Sequence, residues 1–267
     1  MPEGDTIYRT ASRLRPLLEG RRISAAESRL AALAAATLVG QTVITVESRG
    51  KHLLIHFDDR RVLHSHLGMH GSWHVYRPGE PWHKPRAWAA LVLETADAIC
   101  ACFRPQTLEL LSDTGFRRHP YLHRLGPDLL GQQLDEATVL ARFRVHNATP
   151  IGQAVMNQTI VCGIGNVYKS EVLFMTRVDP FAPVGRLGDE TILQIVHRAA
   201  ELLSRNLGGQ RRRTRPSLDG QRLWVYGRNG QPCFSCGEPI RVRRQGDLGR
   251  TTYWCPKCQS ETRNDES

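Results

Sequence analysis

The sequence predicts a multidomain α and β protein, in which an N-terminal antiparallel β-sandwich is followed by a helical region and then by a small cysteine-bearing module. Three observations predict this order. The hydrophobic period is that of short strands from about residue 42 to residue 103, it becomes helical from about Asp135, and two Cys-x-x-Cys pairs lie near the end of the chain. A chain of 267 residues is long enough for at least two domains, each with its own core.

A first helix is predicted to precede the strands. Apolar residues recur at helical spacing over residues 6–18, at Ile7, Leu14, Leu17 and Leu18. After it come short β-branched or alternating runs interrupted by Gly, Pro and Asp, which are typical of an antiparallel sandwich. The predicted strands are residues 42–47, 53–57, 62–66, 72–76, 89–94 and 99–103.

The second half of the chain has the helical period. Helices are predicted over residues 135–145, 150–158, 166–177 and 189–207, with Asp135 and Asp189 as N-caps. The period changes within residues 119–133, and the domain boundaries that we predict are 1–122, 123–222 and 223–260. Residues 207–216 are rich in Gly and Arg and predict a mobile basic loop.

The charge balance favours a polyanionic partner. Lys and Arg number 36 against 26 Asp and Glu, a formal net charge of +10, which is typical of proteins that bind nucleic acid but does not distinguish DNA from RNA. No signal stretch is found, and no apolar run approaches the ~20 residues of a membrane span. We therefore expect a soluble intracellular protein that does not bind membranes. Three cysteines, Cys100, Cys102 and Cys162, lie in apolar segments as reduced thiols commonly do, so no disulfide framework is expected.

The cysteine pairs predict a metal site. The pairs Cys233/Cys236 and Cys255/Cys258 are separated by 18 residues, a spacing typical of two knuckles that present four thiolates to one tetrahedral Zn²⁺. Because the protein supplies all four ligands, no position is open to water, and the single Zn²⁺ is expected to be structural. Arginines between the pairs indicate that this hairpin faces phosphate, although a solvated basic surface is an alternative for the first three. They are Arg241, Arg243, Arg244 and Arg250.

The first residues suggest covalent chemistry. If Met1 is removed, Pro2 carries a secondary amine beside the carboxylate of Glu3. An α-amino group titrates at roughly 7.7–8.0, so a useful fraction is nucleophilic at neutral pH. Its adduct with a sugar C1′ is a permanently positive iminium, which favours elimination, and Glu3 is then the nearest acid or base. The alternative is that Pro2 lies in a frayed terminus.

Three further motifs are candidate sites, each with a structural alternative. Lys51 is predicted to lie at the mouth of a hairpin and reach into a cleft, although exposed lysines are usually only solubilising. The glycine-rich turn at residues 161–166 places Asn166 at a helix start, where free N–H groups bind anions, although such turns are equally common without a ligand. A metal site at His64, His66 and His70 is disfavoured, because the turn redirects the third imidazole and no nearby carboxylate completes a triad.

Taken together, these motifs resemble the family of bifunctional DNA glycosylases that contains formamidopyrimidine-DNA glycosylase and endonuclease VIII. The resemblance runs along most of the chain, with the motifs in the family's order. They are Pro2-Glu3-Gly4, Arg49-Gly50-Lys51-His52, His66-Leu67-Gly68-Met69, His123-Arg124-Leu125-Gly126-Pro127-Asp128, Gly163-Ile164-Gly165-Asn166, Tyr226-Gly227-Arg228, Gly249-Arg250 and Tyr253-Trp254-Cys255.

The resemblance implies an N-terminal β-sandwich with flanking helices, a helix-two-turn-helix domain and a C-terminal zinc β-hairpin, with damaged double-stranded DNA bound between the domains. It implies a bacterial protein of the cytoplasm and nucleoid. A monomer is expected, since one lesion needs one site.

The resemblance also implies roles for individual residues. Pro2 attacks C1′ of the damaged nucleotide, Glu3 serves in base release and proton transfer, and Lys51 assists β-elimination. Arg250 assists δ-elimination. DNA contacts are implied for His66, Met69, Arg124, Asn166 and Arg250, with Met69 entering the stack as the lesion leaves the helix.

The departures from the family pattern bear on the substrate. The 8-oxoguanine branch uses an Arg-Phe loop pair together with the methionine, and residues 103–111 contain no such pair. The N-terminal motif and residues 223–226 are more similar to the endonuclease VIII branch, so oxidised pyrimidines are favoured over 8-oxoguanine or formamidopyrimidine, although Met69 argues mildly the other way. Two other hypotheses are a damage-binding zinc protein without turnover and a zinc-ribbon RNA-binding factor.

Overall fold

The computed structural model describes residues 2–131, 133–209, 211–217, 219–247 and 249–260. The chain divides into two compact units, the first ending at Arg124 and the second beginning at Leu125. Each unit has its own hydrophobic core.

Unit 1 contains two four-stranded antiparallel sheets and a long first helix. One sheet has the order β1-β6-β7-β5 and the other has the order β2-β3-β4-β8. The elements are α1 (Gly4–Leu18), β1 (Ala25–Ser28), β2 (Val43–Arg49), β3 (His52–Phe57), β4 (Val62–His66), β5 (Ser72–Tyr76), β6 (Ala89–Glu94), β7 (Ile99–Phe103), β8 (Thr107–Leu111) and α2 (Asp113–Arg117). Short 3-10 helices cover Ala31–Leu33, Ala35–Leu38, Arg86–Trp88 and Leu122–Arg124. The predicted fold class is confirmed.

The core of unit 1 follows from the alternation of side chains along the strands. Leu53, Ile55 and Phe57 of β3 lie on one face and pack in the same core as the apolar stripe of α1. The sequence did not predict two strands, β1 and β8. The sequence of β1 contains no β-branched or aromatic residue, and only three residues separate the end of β7 from the start of β8, so neither gave a separate strand signal.

Unit 2 is helical and ends in a β-hairpin. Its elements are α3 (Glu136–Arg144), α4 (Ile151–Ala154), α5 (Asn166–Met175), a 3-10 helix (Val184–Arg186), α6 (Asp189–Arg205), β9 (Arg241–Gln245) and β10 (Arg250–Trp254). The two strands pair antiparallel. Among the described residues, no helix has both the length and the apolar character needed to cross a bilayer.

Two details of the helices differ from prediction. Asp135 does cap α3, accepting from Ala137 N at 3.1 Å, but Gly188 occupies the N-cap of α6, and the Asp189 carboxylate instead accepts from Arg144 Nε at 2.9 Å. The predicted helix over residues 150–158 ends at Ala154, because the side chain of Asn157 accepts from Thr159 N at 3.0 Å and forms a turn.

Candidate functional site

The N-terminal pair lies at the start of α1. Pro2 is partly buried, and Glu3 is completely buried in the N-cap position. The Glu3 carbonyl accepts hydrogen bonds from Thr6 N at 2.9 Å and from Ile7 N at 3.1 Å, which fixes this residue to the first helical turn. A carboxylate here is stabilised by the positive end of the helix dipole. The helix therefore holds Pro2 and Glu3 in a defined place on unit 1.

Lys51 stands at the tip of the β2–β3 hairpin. Arg49 pairs with His52, so the loop contains two residues, Gly50 and Lys51. Gly50 has a φ of +57°, the conformation that the first loop residue of a type II′ turn requires and that glycine adopts without strain. Lys51 is thus presented by a rigid, strand-anchored turn.

His66 lies close to Lys51 in unit 1. It ends β4 and pairs with His52 of β3. Burial, and after it the nearby ammonium of Lys51, lowers the pKa of His66 to about 4, so its imidazole is neutral at physiological pH. The structure therefore brings together His66 and Lys51, two residues that the resemblance implicates separately.

The turn after β4 displays Met69. The side chain of Met69 is 57% exposed, although it follows a buried strand. A β-carbon at Gly71 would lie 2.4 Å from the Leu67 carbonyl oxygen, so only glycine fits this tight turn. The fold therefore presents a large apolar side chain at the surface of unit 1, on a backbone that a larger residue at position 71 would distort.

Arg124 closes unit 1. It is the last residue of the 3-10 helix Leu122–Arg124, and its amide donates to the Tyr121 carbonyl at 3.1 Å. The resemblance implicates this residue in phosphate binding.

In unit 2, the start of α5 contacts the hairpin strand that carries Arg250. Gly165 is the N-cap and Asn166 the first residue of α5, so the predicted helix start is observed; Gly163 has a φ of +111°, whereas Gly165 is extended. Asn166 Nδ2 donates to Thr251 Oγ1 at 3.1 Å, and Thr251 follows Arg250 in β10. Within the described part of the chain, Asn166 Oδ1 is buried and has no hydrogen-bond donor. Two predicted anion contacts thus lie on adjoining elements.

Two further residues of α5, which no sequence motif indicated, reinforce this contact. Lys169 is 1% exposed and donates from Nζ to Thr252 Oγ1 at 2.8 Å and to the Thr251 carbonyl at 3.2 Å. Ser170 Oγ accepts from Tyr253 N at 3.3 Å. Positions 166, 169 and 170 share one helix face, a spacing that could have indicated a common partner.

The four hairpin cysteines converge. Cys233 Sγ lies 3.8 Å from Cys258 Sγ, and Cys236 Sγ lies 3.4 Å from Cys255 Sγ. Thiolates bound to one tetrahedral Zn²⁺ at about 2.3 Å are about 3.8 Å apart, so the separations fit such an ion. All four sulfur atoms lie within 4.8 Å of one another, and the prediction that these cysteines could bind one metal ion is confirmed.

The prediction about the histidines needs correction. His64 and His66 do share a face of the sheet, but a carboxylate is present beside His64, contrary to expectation. It belongs to Glu109 of β8, one of the two strands that the sequence did not predict, and its Oε1 atom also contacts His119. His52 completes this cluster.

Some arginines of the basic loop at residues 207–216 contact other residues of unit 2. Arg212 lies 4.7 Å above the ring of Tyr168, and Arg215 pairs with Asp219 at 2.7 Å and stacks 3.8 Å from the ring centroid of Phe234. Arg211 and Arg213, with Arg205 of α6, line a surface cavity. The described part of this loop is therefore held against unit 2 by contacts of its arginines with the aromatic rings of Tyr168 and Phe234.

Comparison with known proteins identifies the family. Residues 1–106 match the family model "Formamidopyrimidine-DNA glycosylase N-terminal domain", and residues 125–215 match "Formamidopyrimidine-DNA glycosylase H2TH domain". The chain is 41% identical over 263 residues to "Probable endonuclease 8 2" of Streptomyces coelicolor, covering 97% of this chain and 94% of that protein. It is 39% identical over 261 residues to "DNA-(apurinic or apyrimidinic site) lyase Nei2" of Mycolicibacterium smegmatis, covering 97% and 99%.

A solved structure has a similar fold. The Lactococcus lactis Fpg in complex with an abasic site containing DNA superposes with a TM-score of 0.81 at 26% identity, covering 97% of this chain and all of that one. The fold, the match to the helix-two-turn-helix family model and the alignment of relatives along nearly the whole chain all indicate one family. The chain therefore belongs to the family of formamidopyrimidine-DNA glycosylases and endonuclease VIII proteins.

Proposed function

We propose that this protein is a bifunctional DNA glycosylase and abasic-site lyase of base excision repair. The observation that carries the proposal is the match along almost the whole chain to proteins named endonuclease 8 and Nei2 lyase. The position of Pro2 and Glu3 supports it, because a nucleophile and an acid or base stand together at the anchored start of α1.

The proposed reaction begins once Met1 has been removed. The Pro2 nitrogen attacks C1′ and loses its proton, and the bond from C1′ to the base breaks. The C1′–O4′ bond then opens as O4′ takes up a proton, which leaves an iminium between Pro2 and C1′. Glu3 serves in base release and in proton transfer. The resulting iminium withdraws electrons, so the C2′ proton is lost and the 3′-phosphate leaves in β-elimination. Lys51 assists this step, and Arg250 assists the δ-elimination that releases the 5′-phosphate. Hydrolysis of the iminium frees Pro2.

The proposed partner is double-stranded DNA with a damaged base or an abasic site. The net charge of +10 favours a polyanion. Arg124, Asn166 and Arg250 are assigned to phosphates and His66 to a DNA contact. The exposed side chain of Met69 is suited to fill the space that the lesion vacates, because the glycosidic bond is inaccessible inside a stacked duplex.

One structural Zn²⁺ is assigned to Cys233, Cys236, Cys255 and Cys258. The sulfur separations and the all-thiolate donor set support this metal. When bound, the ion crosslinks the two knuckles and stabilises the hairpin. Arg250, in β10, depends on that hairpin for its position.

The proposed substrate class is oxidised pyrimidines. The absence of an Arg-Phe pair in residues 103–111 supports it, whereas Met69 favours the 8-oxoguanine class. Excision from duplexes with thymine glycol, 5-hydroxyuracil or 8-oxoguanine distinguishes them. We further propose domains at 1–122, 123–222 and 223–260, action as a monomer at one lesion, and a cytoplasmic, nucleoid-associated location.

Borohydride trapping on an oligonucleotide with an abasic site tests the proposal. The processed protein should form a covalent adduct. Pro2→Gly should still form some adduct, because its primary amine also condenses, but less than the wild type. Protein with an uncleaved N-terminal extension should form none. The extended protein is the matched control, since it should still bind DNA with an uncleavable abasic-site analogue. A normal adduct with the blocked protein would refute Pro2 as nucleophile. Tight binding without adduct or cleavage by the processed protein would favour the damage-binding alternative.

A further inference from the structure

A chain of buried and partly buried imidazoles, with one partly buried carboxylate, crosses one face of the sheet β2-β3-β4-β8. His52 pairs with His66, and His64 pairs with Glu109, so these side chains share the face. His64 is 2% exposed, and the ring of His119, which follows α2, meets it edge-on at 5.4 Å between centroids. None of these residues except His66 has a role in the proposed reaction.

The hydrogen bonds of this network have a fixed direction. His119 Nδ1 accepts from the amides of Leu122 at 3.2 Å and Tyr121 at 3.3 Å, so the ring proton lies on Nε2, which donates to Glu109 Oε1 at 3.0 Å. The same Oε1 atom lies 2.7 Å from His64 Nδ1, which must also donate. His64 Nε2 therefore accepts from His52 Nδ1 at 2.8 Å.

The charge states agree with this assignment. Burial lowers the pKa of His64 and lowers that of His52 to about 3, so both rings are neutral at physiological pH. Partial burial raises the pKa of Glu109, but the hydrogen bonds from His64 and His119 outweigh it and leave the pKa below its usual value. An ionised carboxylate thus accepts two N–H groups.

The same directions argue against a metal at this cluster. The ligand atoms of His64, Glu109 and His119 lie within 4.8 Å of one another, as a metal site requires. A metal bound to His119 Nε2 would move the ring proton to Nδ1, where two backbone N–H groups already point. The cluster is better suited to hydrogen bonding.

The network connects two segments that carry proposed functional residues. At one end, His52 directly follows Lys51 and closes its two-residue turn. At the other end, His119 receives the amides that begin the 3-10 helix Leu122–Arg124. Glu109 is the acceptor that both ends share.

We propose that Glu109 is a positioning residue, which fixes the Lys51 turn through His64 and His52 and fixes the Arg124 turn through His119. The inference rests on the proposed function, because it assumes that Lys51 acts in elimination and that Arg124 binds phosphate. Small displacements of a reacting group reduce rates strongly, so a network of this kind affects turnover without touching DNA.

Single substitutions can remove the connection through His64 and the connection through His119 separately. In His64→Asn, the side-chain amide still donates to Glu109 but no longer accepts from His52; elimination at an abasic site should slow by about tenfold at saturating DNA. Affinity for DNA with a tetrahydrofuran abasic-site analogue should be unchanged. His119→Phe removes the bond to Glu109 and the acceptor of two amides. Affinity should fall by about fivefold, the effect of weakening one Arg124–phosphate hydrogen bond, while the rate at saturation is unchanged.

Conservative variants supply the controls. His119→Gln retains a donor toward Glu109 and should keep most of the affinity. Glu109→Gln retains an acceptor oxygen and should keep most of both properties, whereas Glu109→Leu should lose both. Melting temperatures of all variants are measured in parallel.

Equal losses of rate and affinity in His64→Asn and His119→Phe, in proportion to their melting temperatures, would reduce the network to a packing role and overturn the inference. Wild-type rates and affinities in both variants would also overturn it. The wild-type protein reports separately on the proposed function. If the wild-type protein forms no adduct and cleaves no DNA, the enzyme assignment is refuted. If the wild type is active and the variants have the same rate and affinity as the wild type, only the network is refuted.

Discussion

The side-chain amide of Asn166 donates a hydrogen bond to Thr251 Oγ1 at 3.1 Å, which joins the first residue of α5 to β10. Because Arg250 precedes Thr251, this bond relates the helix start to the hairpin arginine. Lys169 and Ser170 extend the same contact along β10. The groups of unit 2 that we propose bind phosphate are therefore positioned by side-chain hydrogen bonds between two elements that are distant in sequence.

Thr251→Val should weaken DNA binding. The substitution keeps the shape of the side chain but removes the acceptor of the Asn166 amide, a loss of about 1 kcal/mol or about fivefold in affinity. Binding to DNA with an abasic-site analogue measures it, and Thr251→Ser, which retains the hydroxyl, is the control. Equal affinities of the Val and Ser variants would contradict a positioning role for this bond.

Arg250→Ala should change the elimination products. Loss of the guanidinium should weaken DNA binding and suppress δ-elimination, so that β-elimination product accumulates on a denaturing gel. Arg241 pairs with Trp254 at the other end of the hairpin, and Arg241→Ala is the matched control. Zinc content should be the same in both proteins. An unaltered product ratio in Arg250→Ala would assign this arginine another role.

Glu171→Gln should destabilise unit 2. Glu171 is completely buried, and its carboxylate accepts from Thr214 Oγ1 and from the amides of Trp224, Val225 and Tyr226 at 2.7–2.9 Å. An amide group would turn N–H donors toward one of these amides, at a cost of about 1–3 kcal/mol. Urea unfolding measures the change, with Glu201→Gln on the partly exposed face of α6 as control. Equal stability of the two variants would contradict the prediction.

Removal of the metal should inactivate the protein by unfolding its hairpin. Chelation should lower DNA binding and lyase activity together, because the four cysteines would lose the ion that we assign to them. Co²⁺ or Cd²⁺, which also accept tetrahedral thiolate sites, should restore both. Recovery with Zn²⁺ alone would count against a purely structural ion.

Unit 1 should lose stability as the pH falls from 6.5 to about 3. The folded-state pKa values of His52 and His66, about 3 and about 4, lie below the ordinary value of 6.5, so the unfolded chain binds protons more readily. This contribution is complete above pH 6.5 and is lost as the pH approaches the folded-state values. Melting temperatures across this range measure it. His52→Asn should flatten the dependence, and an identical slope would show that other groups control it.

Several features of the site could be predicted from local sequence. The cysteine spacing indicates the metal-binding knuckles, and Gly50 with Lys51 fits a two-residue turn, since each depends on residues close together in the chain. The Asn166 helix start was also predicted. The Glu109 network was not, because β8 followed β7 too closely to give its own signal.

The sequence by itself determined the fold class, the family and the identity of the chemical groups at Pro2, Glu3 and the four cysteines. Only the tertiary structure decided which distant side chains meet, such as Asn166 with Thr251 and His64 with Glu109. The physical reason is that hydrophobic period and ligand spacing are local properties of a chain. Strand register and helix packing instead determine which side chains share a face and which way their protons point.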